Sequence, residues 1–401
     1  MIDFPALSDI VTKTQSKIVM LVCDGLGGLA HPDTRKSELE TADIPNLDKL
    51  AGVSATGLSI PVLPGIAPGS GPGHLALFGY DPVKYLIGRG VLEALGTGVD
   101  LEPGDVAARG NFCTVDSSGI ITDRRAGRIS TEESGPLVEM LDRVIVPGVK
   151  TSVYTVKDYR FVLKLSGASL SDQITETDPQ RVGASPLIAK PVSSEGAITA
   201  EAVNTFVTEA QQVLAEHPKA NMLTLRGFSV LPQLPSMNER YLLDPAAIAA
   251  YPMYRGLASL LGMNVIPTGT TFEEEVATMR QHWDEHDFFF IHYKPADAAG
   301  EDGDFDSKVR TLEQLDRHIP ELLSMKPDVF IVAGDHATPS LMASHSWHPV
   351  PFLLHSKLTL GEGVASFNER TLATGSLGRF QAEHIMLQAM AHADKLTKFG
   401  P

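Results

Sequence analysis

Short apolar runs, separated by glycine-rich loops and helical stretches, organise both ends of the chain. Residues 18–23 are uniformly apolar and lead into Asp-Gly-Leu-Gly-Gly, which predicts a buried parallel strand. Residues 45–50 predict a short helix that begins at a proline, and residues 74–78 predict another helix after a loop rich in glycine and proline. This alternation of strand, loop and helix is typical of an α/β domain.

The alternation returns in the last third of the chain. Strands are predicted at 263–266, 288–292, 329–332 and 350–354, and helices at 272–283, capped by Thr270 or Thr271, and at 305–323. The acidic segment that follows the strand at 288–292 contains glycines and predicts a turn. The two ends together predict one α/β core with a central, mostly parallel sheet flanked by helices.

The middle of the chain has a different pattern. Short alternating runs occur at 154–156 and 161–165, between loops rich in Ser, Asp and Pro, and a helix is predicted at 201–216. The change predicts an inserted α+β cap domain at 105–255, which would bind the substrate. The core domain is then formed by 1–104 and 256–401, a division that suits a chain of this length.

Composition and net charge limit the kinds of molecule that we expect this protein to bind. The 401 residues carry a formal net charge of −16, which argues against nucleic acid because phosphate backbones need Lys and Arg. A small phosphorylated molecule stays compatible, since local basic groups or metal ions can oppose the overall charge. The two cysteines form no CxxC pair, and we see neither a signal peptide nor an apolar stretch of membrane-spanning length. We expect a cytoplasmic globular protein with no membrane partner, and the oligomeric state stays open.

Acidic and imidazole side chains follow the predicted strands at both ends of the chain. They are Asp24, Asp297 with Glu301, Asp335 with His336, and His345. Taken singly, each has an ordinary explanation as a turn aspartate, a solvated acidic loop or a surface histidine. Because the carboxyl ends of parallel strands line one edge of a sheet, the whole set can converge there. Its mixed oxygen and nitrogen ligands suit Mn²⁺, Zn²⁺ or Mg²⁺.

Ser70 is the candidate nucleophile. It lies where the loop Pro68-Gly-Ser-Gly-Pro-Gly meets the helix predicted from His74. A helix N-terminus favours phosphate through its free N–H groups, and a metal ion can stabilise a serine alkoxide. Without the acidic clusters, a helix-capping serine would be the preferred interpretation.

Several segments in order resemble one enzyme family across nearly the whole chain. They include Val22-Cys-Asp-Gly-Leu-Gly, His74-Leu-Ala-Leu-Phe-Gly-Tyr-Asp-Pro, Gly88-Arg-Gly-Val-Leu-Glu-Ala, Arg109-Gly-Asn-Phe, Asp123-Arg-Arg-Ala-Gly-Arg and Gly334-Asp-His. The chain resembles the cofactor-independent phosphoglycerate mutases of archaeal type, in the alkaline phosphatase superfamily. The metal segments are shared by relatives in that superfamily, whereas the arginine segment and the segment after Ser70 favour the mutase branch.

Carried over by position, the resemblance implies two divalent metal ions, with Mn²⁺ favoured over Mg²⁺ or Zn²⁺. One site would use Asp24, Ser70, Asp335 and His336, and the other Asp297, Glu301 and His345. Candidates for holding the substrate's phosphate or carboxylate are Asp123, Arg124, Arg125 and Arg128, followed by Arg226, Arg255 and Lys294. His74 would orient the nucleophile or contact phosphate. The alternative for the basic residues is a set of surface ion pairs of little energetic value.

The chain departs from the family pattern at three places. Glu301 stands where the family usually has histidine, and a carboxylate is a harder ligand that still binds Mn²⁺ or Mg²⁺. Ser70-Gly-Pro-Gly replaces the usual Ser-Asp-Thr-Ala, so the nucleophile is kept and its surroundings are changed. His348 stands where an acidic residue is usual, and an added imidazole there would offset the changed ligand. We interpret the Glu301 substitution as a retuned metal site and not as a lost one.

The implied activity is the interconversion of 3-phosphoglycerate and 2-phosphoglycerate through a phosphoserine, without 2,3-bisphosphoglycerate. Two rivals remain open from the sequence. A phosphomonoester hydrolase of the same superfamily would share the metal ligands and differ in product. A catalytically silent binder of a phosphorylated metabolite is the other, and metal content distinguishes it because either enzyme should hold two ions.

Overall fold

The computed structural model describes residues 4–400. Its strands are β1 (Ile18–Cys23), β2 (Ala55–Ile60), β3 (Val106–Val115), β4 (Ile121–Asp123), β5 (Lys150–Lys157), β6 (Arg160–Ser166), β7 (Met222–Val230), β8 (Pro245–Ile248), β9 (Asn264–Val265), β10 (Phe288–Tyr293), β11 (Val329–Ala333), β12 (Val350–Ser356) and β13 (Gly378–Gln381). Its α-helices are α1 (Leu7–Ile10), α2 (Glu38–Thr41), α3 (Pro45–Gly52), α4 (Ser70–Leu77), α5 (Arg89–Gly96), α6 (Thr131–Leu141), α7 (Ala197–Leu214), α8 (Met237–Tyr241), α9 (Pro252–Leu260), α10 (Phe272–Gln281), α11 (Pro295–Glu301), α12 (Phe305–Ser324), α13 (Glu369–Leu372) and α14 (Ile385–His392).

The chain divides into two compact units. The larger unit contains the described residues up to Leu86 and those from Leu234 onward, and the insert is Ile87–Gln233. Both of these boundaries lie earlier in the chain than the 105 and 255 predicted from the sequence. The reason is packing: α5 lies against β3 and β7 of the insert, whereas β8 pairs with β10 of the larger unit.

An eight-stranded sheet forms the centre of the larger unit, in the order β13-β2-β12-β11-β1-β10-β8-β9. β12 is antiparallel to its neighbours β11 and β2, and the other neighbouring pairs are parallel. The predicted α/β fold with a mostly parallel sheet is therefore confirmed. Val22 of β1 faces His292 of β10 and Ala333 of β11, so these three central strands end at one level.

Helices cover the central strands because each presents an apolar stripe to the sheet. Leu47 of α3, Val276 of α10 and Leu315 of α12 belong to the same buried cluster as the odd-numbered residues of β1. Ile44, the residue before α3, has no polar side chain to cap the first turn of this helix. Instead the buried carboxylate of Asp316 on α12 accepts hydrogen bonds from the amides of Asn46, at 3.2 Å, and Leu47, at 2.7 Å. A long-range contact thus satisfies the free N–H groups of α3.

The insert has its own sheet and core. Its strands follow the order β4-β3-β6-β5, and β7 also pairs with β3. α6 packs on β5 and α7 packs on β7, and Phe112, Phe161 and Phe206 are fully buried between them. This unit is α+β in the sense that the sequence predicted.

Several predicted elements match closely, and two need correction. β1 has the predicted bounds, and Thr271 caps α10 through a reciprocal bond pair with Glu274. The segment that was predicted as an acidic turn forms the helix α11, and α4 begins at Ser70 rather than at His74. No helix within residues 4–400 has both the length and the hydropathy needed to cross a bilayer.

Candidate active site

The ends of β1, β10 and β11 bring the predicted metal ligands of the larger unit to one edge of the sheet. Asp24 directly follows β1, Asp297 lies in the first turn of α11 after β10, and Asp335 and His336 follow β11 after one glycine. All four side chains are fully buried. Their closeness follows from the aligned register of the three strands, as expected for the carboxyl edge of a parallel sheet.

Asp24 lies at the centre of the group. Its Oδ2 accepts a short hydrogen bond from the Tyr254 hydroxyl, and it lies 3.2 Å from His292 Nε2 and 3.0 Å from Lys294 Nζ. Its Oδ1 has no hydrogen-bond partner and lies 3.4 Å from His336 Nε2. One carboxylate oxygen is therefore anchored by protein donors, and the other is left for a ligand.

Ser70 is the first residue of α4, and its hydroxyl reaches the same point. Its Oγ lies 3.2 Å from His336 Nε2. α4 approaches the Asp335 segment closely at Gly73, where a Cβ would lie 2.2 Å from the Asp335 carbonyl oxygen. Glycine at this position is thus a packing requirement, because any larger residue would push Ser70 away from the site.

His74 lies behind Ser70 and is fully buried. Its Nδ1 is 2.9 Å from the Ser70 carbonyl oxygen and 3.2 Å from Asp335 Oδ2. Of the two roles predicted for His74, this placement favours orientation of the nucleophile and of Asp335 over contact with a phosphate.

Asp297 and His345 form the neighbouring part of the site. His345 Nε2 lies 3.7 Å from Asp297 Oδ1 and 3.4 Å from Glu301 Oε1, and its Nδ1 lies 2.9 Å from the Pro68 carbonyl oxygen. The Glu301 side chain is 55% exposed, in contrast to the enclosed Asp297. His348 lies 3.1 Å from the Ser346 hydroxyl and stacks on Trp347, and it belongs to neither ligand group described below.

Within residues 4–400, two groups of three side chains offer ligand atoms within 4.8 Å of one another. One is Asp24, Asp335 and His336, and the other is Asp297, His336 and His345. His336 is common to both groups, whereas the resemblance assigned it to one site. His336 belongs to both because Nε2 lies 3.1 Å from Asp335 Oδ2 and Nδ1 lies 3.9 Å from Asp297 Oδ1, and its ring stacks on that of His345 with centroids 3.6 Å apart.

Thr338 decides which nitrogen of His336 is available. Its hydroxyl donates to Asp297 Oδ1 at 2.5 Å and lies 3.0 Å from His336 Nδ1. A hydroxyl has one proton, and a carboxylate only accepts, so Nδ1 must be the donor to Thr338. The free nitrogen is therefore Nε2, which lies 3.1 Å from Asp335 Oδ2. His336 can thus serve one ion, beside Asp24 and Asp335.

The electrostatics of this group favour a bound cation. Burial opposes protonation of His336, yet Asp335, Asp24 and Asp297 together raise its pKa to about 9, so near neutral pH and without a metal ion Nε2 carries a proton that a bound cation would displace. Asp24 Oδ1 and Asp335 Oδ2 are buried acceptors without a well-aligned hydrogen bond. Since buried polar atoms are almost always paired, acidic oxygens left in this way beside His336 Nε2 fit a divalent metal ion.

Lys294 and Arg255 are placed differently from each other. Lys294 Nζ bridges Asp24 Oδ2, at 3.0 Å, and Asp297 Oδ2, at 2.6 Å. Burial disfavours the charged form of Lys294, but these two carboxylates raise its pKa, so the ammonium group stays charged. Arg255 is exposed on α9. Lys294 is therefore already engaged with two predicted metal ligands, a role the sequence did not indicate.

In the insert, two of the predicted arginines share one buried carboxylate. Arg124 Nη2 donates to Asp178 Oδ2 at 3.1 Å, and Arg226 Nη1 lies 4.0 Å from the same oxygen. Asp123 instead accepts hydrogen bonds from two backbone amides of the following turn, at Arg125 and Gly127. The exposed Arg125 and Arg128 lie on that turn, so Asp123 shapes the loop that carries them.

The structure adds residues that the sequence analysis missed. Arg109 faces Arg226 across β3 and β7, and Asn111 faces Arg160 across β3 and β6, so all four lie on one face of the insert sheet. Burial and the neighbouring arginines lower the pKa of Arg109 to about 10, with Glu93 opposing them. Asp178, Tyr254 and His292 were also missed. Nothing local in the sequence marks them, because their partners are distant in the chain.

Comparison with known proteins points to one enzyme family. A profile of the 2,3-bisphosphoglycerate-independent phosphoglycerate mutase family matches residues 51–220. The chain is 48% identical over 396 residues to the probable 2,3-bisphosphoglycerate-independent phosphoglycerate mutase of Thermotoga neapolitana, a match that covers 98% of each chain. The chain belongs to this family. A mutase of the same description from Thermus thermophilus is 47% identical over 402 residues and is covered to 99%.

Two solved structures extend the family likeness to the fold. The cofactor-independent phosphoglycerate mutase from Thermoplasma acidophilum is 31% identical, with a TM-score of 0.73 over 94% of this chain and 100% of that chain. A protein from Pyrococcus horikoshii is 28% identical, with a TM-score of 0.84 over 97% of this chain and 100% of that one. The family fold therefore spans both units.

Proposed function

We propose that this protein interconverts 3-phosphoglycerate and 2-phosphoglycerate through a phosphoserine at Ser70, as a glycolytic enzyme of the cytoplasm and of the archaeal-type branch. The observation that carries the proposal is the position of Ser70 Oγ, 3.2 Å from His336 Nε2 at the meeting point of Asp24 and Asp335. Relatives across the whole length of the chain are named as mutases that do not use 2,3-bisphosphoglycerate.

Two divalent metal ions fit the ligand sets. Asp24, Asp335 and His336 would hold one ion together with Ser70, and Asp297, His345 and Glu301 would hold the other. The assignment of His336 to the first ion rests on the hydroxyl of Thr338, which leaves only Nε2 free. Carboxylate-rich sets with one imidazole each suit Mn²⁺ best, with Mg²⁺ or Zn²⁺ as alternatives. Ions bound here would stabilise the serine alkoxide and the charge on the phosphoryl group.

The chain's own residues position the reacting serine. Ser70 lies in the first turn of the eight-residue helix α4, whose free N–H groups and dipole favour a phosphate. His74 fixes the Ser70 carbonyl from behind. In the first half-reaction the Oγ–P bond forms and the bond from phosphorus to the glycerate oxygen breaks, and that oxygen gains the proton lost by the serine. The second half-reaction reverses these changes at the other hydroxyl of the glycerate.

The anion-binding groups in this proposal are Arg124 and Arg226 of the insert, which lie beside Asp178 and are called here the arginine face. Asp178 accepts a hydrogen bond from Arg124, and Arg226 lies 4.0 Å from the same oxygen, so the two guanidinium groups are held near one carboxylate while each side chain keeps at least 27% of its surface exposed. Guanidinium groups suit bidentate binding of carboxylate or phosphate. We infer that this pair holds the charged end of the substrate, and Arg125 and Arg128 remain candidates on the adjacent loop.

The nearest alternative is a phosphomonoester hydrolase with the same ligands. The two functions differ in the fate of the phosphoserine, because water in place of the glycerate hydroxyl would release free phosphate. The experiment is a coupled assay in which purified protein with Mn²⁺, Mg²⁺ or Zn²⁺ receives 3-phosphoglycerate, and both 2-phosphoglycerate and free phosphate are followed.

We expect metal-dependent 2-phosphoglycerate in the wild-type protein and none after metal removal with a chelator. Free phosphate as the main product would establish the hydrolase instead. Neither product with any of the three metals would reject both activities. Metal analysis of the same samples should show two ions per chain, since a silent binder could lose one or both.

A further inference from the structure

A buried lysine lies beneath the candidate active site and plays no part in the chemistry described above. Lys308 is in the first turn of α12 and is fully enclosed. Its Nζ donates to three backbone carbonyl oxygens, those of Gly25 at 3.0 Å, Gly27 at 2.7 Å and Thr338 at 2.7 Å. An ammonium group has three donors, so each of its protons has an acceptor.

The three acceptors belong to the two loops that carry the predicted ligands of the first ion. Gly25 and Gly27 follow Asp24, and Thr338 is two residues after His336. The same loops also bond directly, because the Thr338 amide donates to the Gly25 carbonyl at 3.2 Å. Lys308 thus joins the Asp24 loop (residues 24–28) to the His336 loop (residues 334–338) at the level of their main chains.

The Asp24 loop and the His336 loop are in close contact, so a change in the distance between them would shift residues in both loops. Gly25 has φ +69°, and a Cβ there would lie 2.8 Å from both the Asp297 Cα and the Thr338 hydroxyl. The Thr338 hydroxyl is the group that bonds both Asp297 and His336. Movement of the Thr338 main chain would therefore disturb predicted ligands of both ions.

A buried cation is unfavourable unless its charge and donors are matched. Burial disfavours the charge of Lys308, and Glu38 is the group that most opposes this effect. Glu38 is a fully buried carboxylate that accepts from Leu29, one residue beyond the Asp24 loop, and from Ser340, two residues beyond the His336 loop. An apolar side chain of similar length would leave the buried carbonyl groups of Gly27 and Thr338 without a donor, and the Gly25 carbonyl with the Thr338 amide alone. The arrangement is therefore specific to an ammonium group and not to the volume that it fills.

We propose that Lys308 is a positioning residue that fixes the spacing between the Asp24 loop and the His336 loop, and through it the metal affinity of the site. The proposal rests on the two-metal function proposed above. Groups that orient metal ligands typically contribute 10- to 100-fold to metal affinity. We expect an effect of that size from Lys308, although it touches no ligand side chain.

The test compares Lys308→Met with a matched control, Lys395→Met. Lys395 is the other lysine among residues 4–400 that is almost fully buried, and it bonds Asp287 at 2.9 Å and the Thr14 carbonyl at 3.0 Å. Asp287 precedes β10, so this pair lies at the end of the strand opposite to the site. Loss of either lysine should lower the thermal midpoint, and only loss of Lys308 should change metal binding.

Two measurements with Mn²⁺ alone separate these effects. Titration followed by the signal of free Mn²⁺ gives the affinity and the number of ions, and low-temperature electron paramagnetic resonance shows whether two bound ions are magnetically coupled. We expect Lys308→Met to bind Mn²⁺ about 10- to 100-fold more weakly and to lose the coupled spectrum. Lys395→Met should keep the affinity and spectrum of the wild-type protein.

The proposal is overturned if Lys308→Met retains both the affinity and the coupled spectrum, or if Lys395→Met loses them equally. If Lys308→Met does not fold, Lys308→Arg decides. Its planar guanidinium keeps the charge but cannot converge on three carbonyls through one nitrogen, so a wild-type spectrum would count against the proposal. A wild-type protein without a coupled pair of ions would instead overturn the two-metal function itself, and the positioning role with it.

Discussion

The larger unit and the insert differ in which buried polar atoms lack a hydrogen-bond partner. In the larger unit these include the acceptors Asp24 Oδ1 and Asp335 Oδ2, and in the insert they are the donors Arg124 Nε and Arg160 Nε, within the part of the chain that the structure describes. Because buried polar atoms are almost always paired, unmatched oxygens call for a cation and unmatched guanidinium nitrogens for an anion. These unmatched atoms therefore favour a cation beside Asp24 and Asp335 and an anion beside the arginines of the insert.

The two regions also differ in how their side chains are held. The ligands of the larger unit follow strands whose register is fixed on both sides. The predicted arginines at 124–128 lie instead on a turn in which Ala126 and Arg128 both have positive φ, of 47° and 52°. Such conformations cost free energy and persist where the surroundings enforce them, here through the two bonds that Asp123 accepts.

The largest effect should come from Ser70→Ala, which removes the proposed nucleophile and leaves both regions otherwise intact. We expect a loss of turnover on the order of 10⁴-fold or more, as for the loss of a nucleophile in other covalent mechanisms. Mn²⁺ stoichiometry and binding of 3-phosphoglycerate to the arginine face should persist, as measured by titration. A variant that keeps even a tenth of the wild-type turnover would exclude the phosphoserine route.

Thr338→Val tests whether the larger unit depends on the hydroxyl that sets the tautomer of His336. The change preserves shape, and we expect about 10- to 100-fold weaker Mn²⁺ binding because His336 Nδ1 and Asp297 lose their shared partner. Thr338→Ser restores the hydroxyl and should recover most of the affinity. Equal affinity in the valine and serine variants would show that the hydroxyl does not orient these ligands.

A smaller effect is expected in the insert from Arg226→Lys. The charge is kept but the planar fork is lost, so we expect KM for phosphoglycerate to rise about tenfold, the equivalent of one charged hydrogen bond, while kcat changes little. Arg280→Lys, a surface arginine paired with Glu321, is the control and should leave KM unchanged. A fall in kcat with constant KM would place Arg226 at the reacting group and not at a substrate anchor.

The smallest expected effect is on stability, and it comes from a buried carboxyl group that lies outside both candidate sites. Glu275 has an unmatched buried Oε2 but no imidazole or second carboxylate among its hydrogen-bond partners, and burial raises its pKa to about 8. The folded state therefore holds a proton there between pH 4.5 and 8 that the unfolded state has lost. The stability from this group is complete below about pH 4.5 and is lost as the pH rises through 8.

Glu275→Gln should remove that dependence. Relative to the wild-type protein, the free energy of unfolding of the variant should rise by about 2–4 kcal/mol between pH 5 and pH 9, measured by urea denaturation without metal. Glu321→Gln, at an exposed position, serves as the control. Parallel pH profiles for the wild-type protein and Glu275→Gln would mean that the carboxyl group ionises normally in the fold.

Sequence-based prediction succeeded where the cause of the structure is local. The uniform apolar run of β1 gave its bounds, and Thr271 with Glu274 three residues later marks the start of α10. Prediction failed at α11, because the acidic residues and glycines of this segment indicated a turn. Pro295 at the first helical position is a signal that favours a helix there. Prediction also missed β7, whose apolar run is interrupted at Arg226 and Gly227 and which is completed by pairing with β3.

By itself, the sequence determined the α/β alternation, the inserted unit and the residue types that end the central strands. Only the tertiary structure decided that Glu301 is exposed, that Thr338 leaves His336 Nε2 free and that Lys308 is buried under the site. The physical reason is distance along the chain. Periodicity and caps act within a few residues, whereas these features depend on strand register and on contacts between segments that are tens to hundreds of residues apart.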